Sequence, residues 1–190
     1  MAPTDTLMSE EEYLVREPEA EYKSEFRDGR VVGMAGASLA HSRLTANLLR
    51  EIGHQLRAKP CRPYTNDTRI KVAAARFYTY PDLSVICGKP EVDRRESSTV
   101  TNPTALVEVL SPSTEAYDRG QKFASYKSLD SLRDYVLVAQ DAVRVEHFTL
   151  RGDGSWGEAV LRLRDDVLEL PAIGCRIALR DVYEGIDVGV

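Results

Sequence analysis

The chain has 190 residues, 43% apolar and 29% charged, the balance of an ordinary globule with enough sequence to bury one full core. A net charge of −5 argues against a general nucleic-acid coat, and no apolar run approaches the roughly 20 residues that span a bilayer. Met1–Ser9 has no basic stretch leading into an apolar core, so no secretory signal is visible and a cytoplasmic protein without membrane contact is expected. Cys61, Cys87 and Cys175 are widely separated and form no CxxC pair, which argues against both a disulfide framework and a zinc site. Cys87 and Cys175 stand in apolar, strand-like runs and are expected to fill core space.

Ser9 followed by Glu12 is a capping-box pattern that predicts a helix to about Arg16, ended by Pro18. Runs at Glu21–Phe26 and Arg30–Met34 flank Asp28-Gly29, a two-residue hairpin signal. After a loop of Gly33, Gly36 and Ser38, the residues Leu44, Leu48, Leu49, Ile52 and Leu56 recur at three- and four-residue steps. They predict a long amphipathic helix from about Ser38 to Ala58, closed by Pro60 and Pro63. Strands are expected near Arg62–Asn66, Arg69–Ala73 and Phe77–Ile86, the last interrupted or entered at Pro81.

Gly88–Pro103 is polar and reads as a surface loop, whereas Ala105–Leu110 is apolar on both faces and reads as a central strand. Ser111-Pro112-Ser113-Thr114 caps a helix predicted from Glu115 to Leu129. Tyr135–Ala139 is another buried strand, and Val143–Leu150 with Trp156–Leu163 forms a hairpin across Arg151-Gly152-Asp153-Gly154. The tail from Val167 adds a short strand or two and one helical turn at Leu179–Tyr183. No repeat, low-complexity tract or linker divides the sequence. The expectation is one domain over residues 1–190, of α/β (α+β) class, with a mixed sheet flanked by helices.

Charge is unevenly placed. Between Arg43 and Arg76 eight basic residues face only Glu51 and Asp67, a local +6 on a chain whose remainder carries −11. Such a segment is either a phosphate-contacting face, with Arg69 and Lys71 as DNA contacts, or a set of solvated helix and strand faces. Aromatic residues are too few and scattered for a base-stacking platform.

Two strands each carry a carboxylate. Asp82 lies inside the run Tyr80-Pro81-Asp82-Leu83-Ser84-Val85-Ile86-Cys87, and Glu108 inside Ala105–Leu110. A buried charge without a partner costs several kcal/mol. Either each acid pairs with an arginine at a strand end, or something positive sits between the two; the downstream Lys122 favours the second. Glu108 and Leu110 share a strand face and Val109 points the other way. An Asp82 at matching height on a neighbouring strand would converge with Glu108 on oxygen ligation suited to Mg2+ or Mn2+, completed by waters and a substrate phosphate. A lysine nearby would orient or deprotonate the attacking water and stabilise charge. His41, His54 and His147 have no metal-ligand spacing. His41, at the start of the long helix, either touches a phosphate near the site or serves as a capping, half-buried residue. Ser111, Ser113 and Thr114 are helix-cap hydroxyls rather than nucleophiles.

Pro81-Asp82 paired with Glu108-Val109-Leu110 resembles the PD-(D/E)XK nuclease superfamily, except that Leu110 stands where that pattern has lysine. More narrowly the chain resembles the Uma-type family of putative restriction endonucleases. Glu25 with Asp28-Gly29, His41, Pro81 to Val85, Val107 to Thr114, Asp118-Arg119-Gly120-Gln121-Lys122 with Tyr126, and Tyr135 to Val138 carry the likeness, from about Ser9 to beyond Trp156. The resemblance implies a restriction-endonuclease-like core with an N-terminal helix and hairpin and added C-terminal strands. It implies a metal-dependent DNA endonuclease using Mg2+ or Mn2+, no organic cofactor, and a homodimer. Asp82 and Glu108 would be metal ligands, and Lys122 would answer to the displaced lysine. Glu25 would be a further carboxylate; read from the residues alone it is equally a solvent-facing strand residue. Asp118 and Lys122, four apart, share a helix face; read without the family they are an ordinary surface pair. The alternative is a catalytically inactive nuclease-fold module for DNA binding or protein interaction.

Overall fold

The computed structural model describes residues 6–34 and 36–188. A short strand, β1 (Thr6–Leu7), precedes α1 (Glu10–Arg16). The Glu12 N–H donates to Ser9 Oγ at 3.2 Å and the Ser9 N–H donates to the Glu12 carboxylate at 2.9 Å, so the capping box closes both ways. A 3-10 turn at Glu17–Glu19, containing Pro18, ends the helix. Strands β2 (Ser24–Arg27) and β3 (Arg30–Gly33) pair through Asp28 and Gly29, both at positive φ (44° and 92°), the backbone that a tight hairpin turn requires. Helix α2 (Leu39–Gln55) begins at Ser38, whose Oγ accepts from the His41 N–H at 3.0 Å.

Next come β4 (Cys61–Thr65), β5 (Arg69–Val72), β6 (Phe77–Thr79) and β7 (Leu83–Cys87). The run predicted as one strand from Phe77 to Ile86 is therefore two strands, and they lie in different sheets. Pro81 has no N–H for a ladder, so pairing stops there and the chain crosses over. The polar loop holds a two-residue strand, β8 (Thr99–Val100), before β9 (Ala105–Leu110). The helix predicted from Glu115 to Leu129 consists of α3 (Glu115–Tyr117), a π-helical turn (Asp118–Lys122) and α4 (Phe123–Tyr126). Strands β10 (Asp134–Ala139), β11 (Val145–Leu150) and β12 (Trp156–Leu161) follow. The tail forms β13 (Val167–Leu170), β14 (Cys175–Ala178) and α5 (Leu179–Val182).

The architecture is mixed α/β, as expected. One six-stranded sheet has the order β1-β3-β2-β6-β5-β8 and the other β12-β11-β10-β9-β7-β4, with a small β13-β14 ladder beside them. In the second sheet β9 and β10 run parallel and the other neighbours antiparallel. Leu44, Leu48 and Ile52 of α2, with Leu56 at its C-terminal cap, pack on Val107, Val109, Val136 and Val138 on one face of that sheet. Its other face presents Leu106, Leu110, Tyr135 and Leu137 to Phe123 and Tyr126 of α4 and to Ile70, Val72 and Phe77 of the first sheet. Burial on both faces explains why β9 and β10 read as unbroken apolar runs. Tyr13 of α1 packs on Phe26, Val31 and Tyr78 on the far side of the first sheet. Among the described residues no helix is long and apolar enough to cross a membrane.

Strand pairing overturns one expectation about the cysteines. Cys61 of β4 lies directly opposite Cys87 of β7, and a disulfide joins them. Residues 26 positions apart in sequence escape a search for local cysteine motifs and meet only through the ladder. Cys175 remains a free, buried thiol. A loop of that size predicts about 3–4 kcal/mol from cross-linking the unfolded chain, equivalent to roughly 10 °C in melting temperature at this chain length. Thiol titration of the denatured, unreduced protein is expected to find one reactive cysteine, and dithiothreitol to lower the melting temperature by about that amount. Three thiols before reduction, or an unchanged melting temperature after it, would contradict the bond.

Candidate active site

Alternation along β9 sends Leu106, Glu108 and Leu110 into the layer between the two sheets, where Glu108 is only 4% exposed. β7 pairs with β9 in the register Leu83↔Val107, so Asp82, one residue before Leu83, arrives alongside Glu108. Its Oδ2 accepts the Val109 N–H at 2.7 Å, and His41 Nε2, from the first turn of α2, lies 3.1 Å from the same oxygen. The expected convergence of Asp82 and Glu108 is thus present, set by the break at Pro81 and by the sheet register.

The π-helical turn brings Lys122 over Glu108. Its Nζ lies 2.9 Å from Glu108 Oε1, 3.1 Å from Glu25 Oε1 on β2 and 3.5 Å from Asp118 Oδ1. One ammonium is thus paired with three carboxylates. Hydroxyl groups bind the acids in turn. Tyr126 donates to Glu108 Oε1 at 2.9 Å, Tyr117 donates to Glu25 Oε2 at 3.1 Å, and Thr79 donates to Glu25 Oε1. Tyr135 donates to the Asp118 carbonyl at 3.1 Å, anchoring the π turn on β10.

Three carboxyl groups, Glu25, Glu108 and Asp118, surround one lysine, and a fourth, Asp82, lies beside Glu108 and faces His41. Burial pushes Glu108 up to about 8; Lys122 opposes the rise, and the Asp118 and Asp82 charges add to it. Burial also raises Asp118, again against the pull of Lys122. Burial alone would lower Lys122, but the carboxylates around it, Glu108 and Glu25 foremost, outweigh that cost and hold the ammonium charged. His41 follows the same pattern: burial works to lower it, and the hydrogen bond and charge of Asp82 raise it.

Five of the residues singled out from the sequence therefore meet: Glu25, His41, Asp82, Glu108 and Lys122. Glu25 is not a solvated strand residue, and His41 both opens its helix and faces Asp82. Arg69 and Lys71 are placed otherwise. Arg69 is 3% exposed, donates to Thr99 Oγ1 at 2.8 Å, lies 3.7 Å from Glu96 and stacks between Tyr13 and Tyr78. Lys71 pairs with Asp93 and, at 3.5 Å, with Glu10. Both tie α1 and the polar loop to the first sheet, and their charge is neutralised there, so neither forms a free phosphate-contacting surface. Sequence reading missed Tyr117 and Thr79, and it gave Tyr126, part of the family likeness, no role in the site. In a regular α-helix residues nine apart, such as Tyr117 and Tyr126, stand on opposite sides, and only the π turn realigns them toward one site.

No group of three or more His, Cys, Asp or Glu among the described residues is arranged to hold a metal ion. The donor chemistry nevertheless suits a hard divalent cation. Each of the two acids is fixed through one oxygen, leaving Asp82 Oδ1 and Glu108 Oε2 outside the hydrogen bonds and ion pairs of the described residues. Mg2+ is commonly held by one or two carboxylates with water and phosphate oxygens making up the rest.

The raised Glu108 carboxyl has a consequence for stability. Its folded value of about 8 exceeds the ordinary 4.5, so the folded state binds the extra proton between those limits. The stabilisation is complete below about 4.5 and is lost as pH rises through about 8. In chelator-treated buffer the melting temperature of the wild type is expected to fall from pH 6 to pH 9. Glu108→Gln, an amide in place of the neutral acid, should match the wild type near pH 6 and lose much less at pH 9. Equal slopes in the two proteins would contradict this assignment.

The chain is 38% identical over 153 residues to the uncharacterized protein sll1609 of Synechocystis sp. (strain ATCC 27184 / PCC 6803 / Kazusa), covering 80% of this chain and 86% of that one. It is 37% identical over 180 residues to slr1290, an uncharacterized protein of the same organism, covering 94% and 93%. Its fold matches the crystal structure of a putative nuclease belonging to DUF820 from Anabaena variabilis ATCC 29413 with a TM-score of 0.74, over 90% of this chain and 96% of that one, at 16% identity. The nuclease-like fold expected from the resemblance is therefore present. The family model Uma2, described as putative restriction endonuclease, matches residues 10–180, and the chain belongs to that family.

Proposed function

We propose that this protein is a metal-dependent endonuclease that hydrolyses DNA phosphodiester bonds, with residues 1–190 acting as one domain. The observation that carries the reading is the pairing of Asp82 with Glu108, each fixed through one oxygen, beside a lysine that its surroundings keep charged. Asp82 and Glu108 would hold Mg2+ or Mn2+. Bound there, the ion would lower the pKa of a water and offset charge on the phosphoryl oxygens.

The chain's own groups supply the rest. The Val109 N–H and His41 hold the Asp82 carboxylate in one orientation. Lys122 acts as a fixed positive charge on the developing negative charge of the phosphate, not as a base, because the carboxylates around it retain its proton. Glu25, itself held by Tyr117 and Thr79, keeps the ammonium in place. The low exposure of Glu108 and Lys122 keeps bulk water from screening these charges. The family description, restriction endonuclease, supports DNA as the substrate. As a homodimer, the commonest soluble assembly, the protein would present two sites to the two strands of a duplex.

One observation favours a second reading, an inactive nuclease-fold module that binds DNA or a protein. Lys122 already satisfies three carboxylates, and no three-ligand group surrounds an open position among the described residues. Plasmid nicking separates the two. With millimolar Mn2+ or Mg2+ the wild type is expected to nick supercoiled DNA, and Asp82→Ala and Glu108→Ala to fall to background. Lys122→Met should lose about 10²–10³-fold in rate, as when one electrostatic donor is removed from an active site. Nicking that survives both acid substitutions would remove this assignment. A wild type that binds DNA without cutting it under either metal would establish the module.

A further inference from the structure

Tyr126 is wholly buried, yet its hydroxyl is directed at a carboxylate rather than packed as inert core. Its ring fills space against Phe77 at 6.1 Å and Tyr135 at 5.3 Å, contacts that phenylalanine would make equally well. The hydroxyl therefore needs its own explanation. Thr79 Oγ1 lies 3.3 Å from the phenol oxygen but gives its single hydrogen to Glu25 Oε1. The Tyr126 hydrogen is thus available to Glu108 Oε1, at 2.9 Å.

Glu108 Oε1 receives both Tyr126 and Lys122 at 2.9 Å, from α4 and from the π turn. Two donors on one oxygen fix the rotation of the carboxyl group and leave Oε2 without a partner among the described residues. Lys122 is shared among three acids and so defines the Glu108 plane only loosely. The phenol has one acceptor and a ring locked by packing.

We propose that Tyr126 is a positioning residue for divalent-cation binding, fixing the Glu108 carboxylate through Oε1 so that Oε2 and Asp82 together form the cation site. The inference rests on the endonuclease reading of the same two acids. Groups that orient a metal-ligating side chain typically contribute about 10–100-fold in metal affinity or activity. Tyr126→Phe keeps the ring and removes only the hydroxyl.

The test is Mn2+ binding to the full chain by calorimetry, with nicking kinetics alongside. Tyr126→Phe is expected to weaken Mn2+ binding by about tenfold or more and lower kcat by a similar factor, with KM for DNA within twofold of the wild type. 4-Aminophenylalanine in place of Tyr126, which restores a donor at the same position, should recover most of the affinity. Tyr183→Phe removes another buried tyrosine hydroxyl, one that donates to the Ala139 carbonyl, and is expected to keep Mn2+ affinity within twofold. Affinity unchanged in Tyr126→Phe, no recovery with the amine, or an equal loss in Tyr183→Phe would overturn the inference. If Tyr126→Phe does not fold, the amine and Tyr183→Phe results decide by the same criteria. A wild type that binds no Mn2+ at millimolar concentration would instead count against the endonuclease reading itself.

Discussion

An ammonium group almost out of reach of water must find its counter-charges inside the protein, and the arrangement of this molecule follows from how Lys122 does so. It pairs with carboxylates from three separate pieces of chain: Glu25 on β2 of one sheet, Glu108 on β9 of the other, and Asp118 on its own helical stretch. Any one acid alone would already balance the charge, and breaking a buried pair of that kind costs about 3–5 kcal/mol. Together they lock two sheets and a helix at one point. The cost is an excess of acid. One lysine cannot balance three carboxyl groups, and the raised values of Glu108 and Asp118, driven first by burial, accompany that imbalance.

The π turn makes the convergence possible. It carries both Asp118 and Lys122, and its extra residue rotates Tyr126 back toward the face that Tyr117 occupies. An α-helix of the same sequence would direct one of the two tyrosines away from the site. Gly120, at the centre of the turn, has open space where a side chain would stand, so packing does not require glycine at that position.

Much of the fold was legible because its determinants are local. The Ser9–Glu12 cap, the Asp28-Gly29 hairpin and the leucine spacing of α2 each act over a few residues, and each element appears within a residue or two of its expected bounds or slightly shorter. Of the site, Asp82 and Glu108 could be found because each is an acid in an apolar strand, and Lys122 because the family pattern pointed to it. What escaped depends on distant partners. Cys61 and Cys87 meet through a ladder, and the turn from β6 to β7 changes sheets at Pro81. Part of the basic segment is paired for the same reason. Counted along the chain it carries +6, but Asp93, Glu10, Glu96, Asp28 and Glu184 come from elsewhere to pair with four of its eight basic residues, Lys71, Arg69, Arg76 and Arg50. A charge tally along a sequence cannot see such partners.

The two acids facing each other beneath a charged lysine constitute a cation site in this account, and the location of the cation is what tests it most directly. Anomalous diffraction from crystals soaked in Mn2+ at neutral pH should show one strong peak within coordination distance of Asp82 Oδ1 and Glu108 Oε2, with Lys122 still bound to Glu108 Oε1. Soaked crystals with no peak beside these two carboxylates, or with manganese bound only at other acids on the surface, would contradict it.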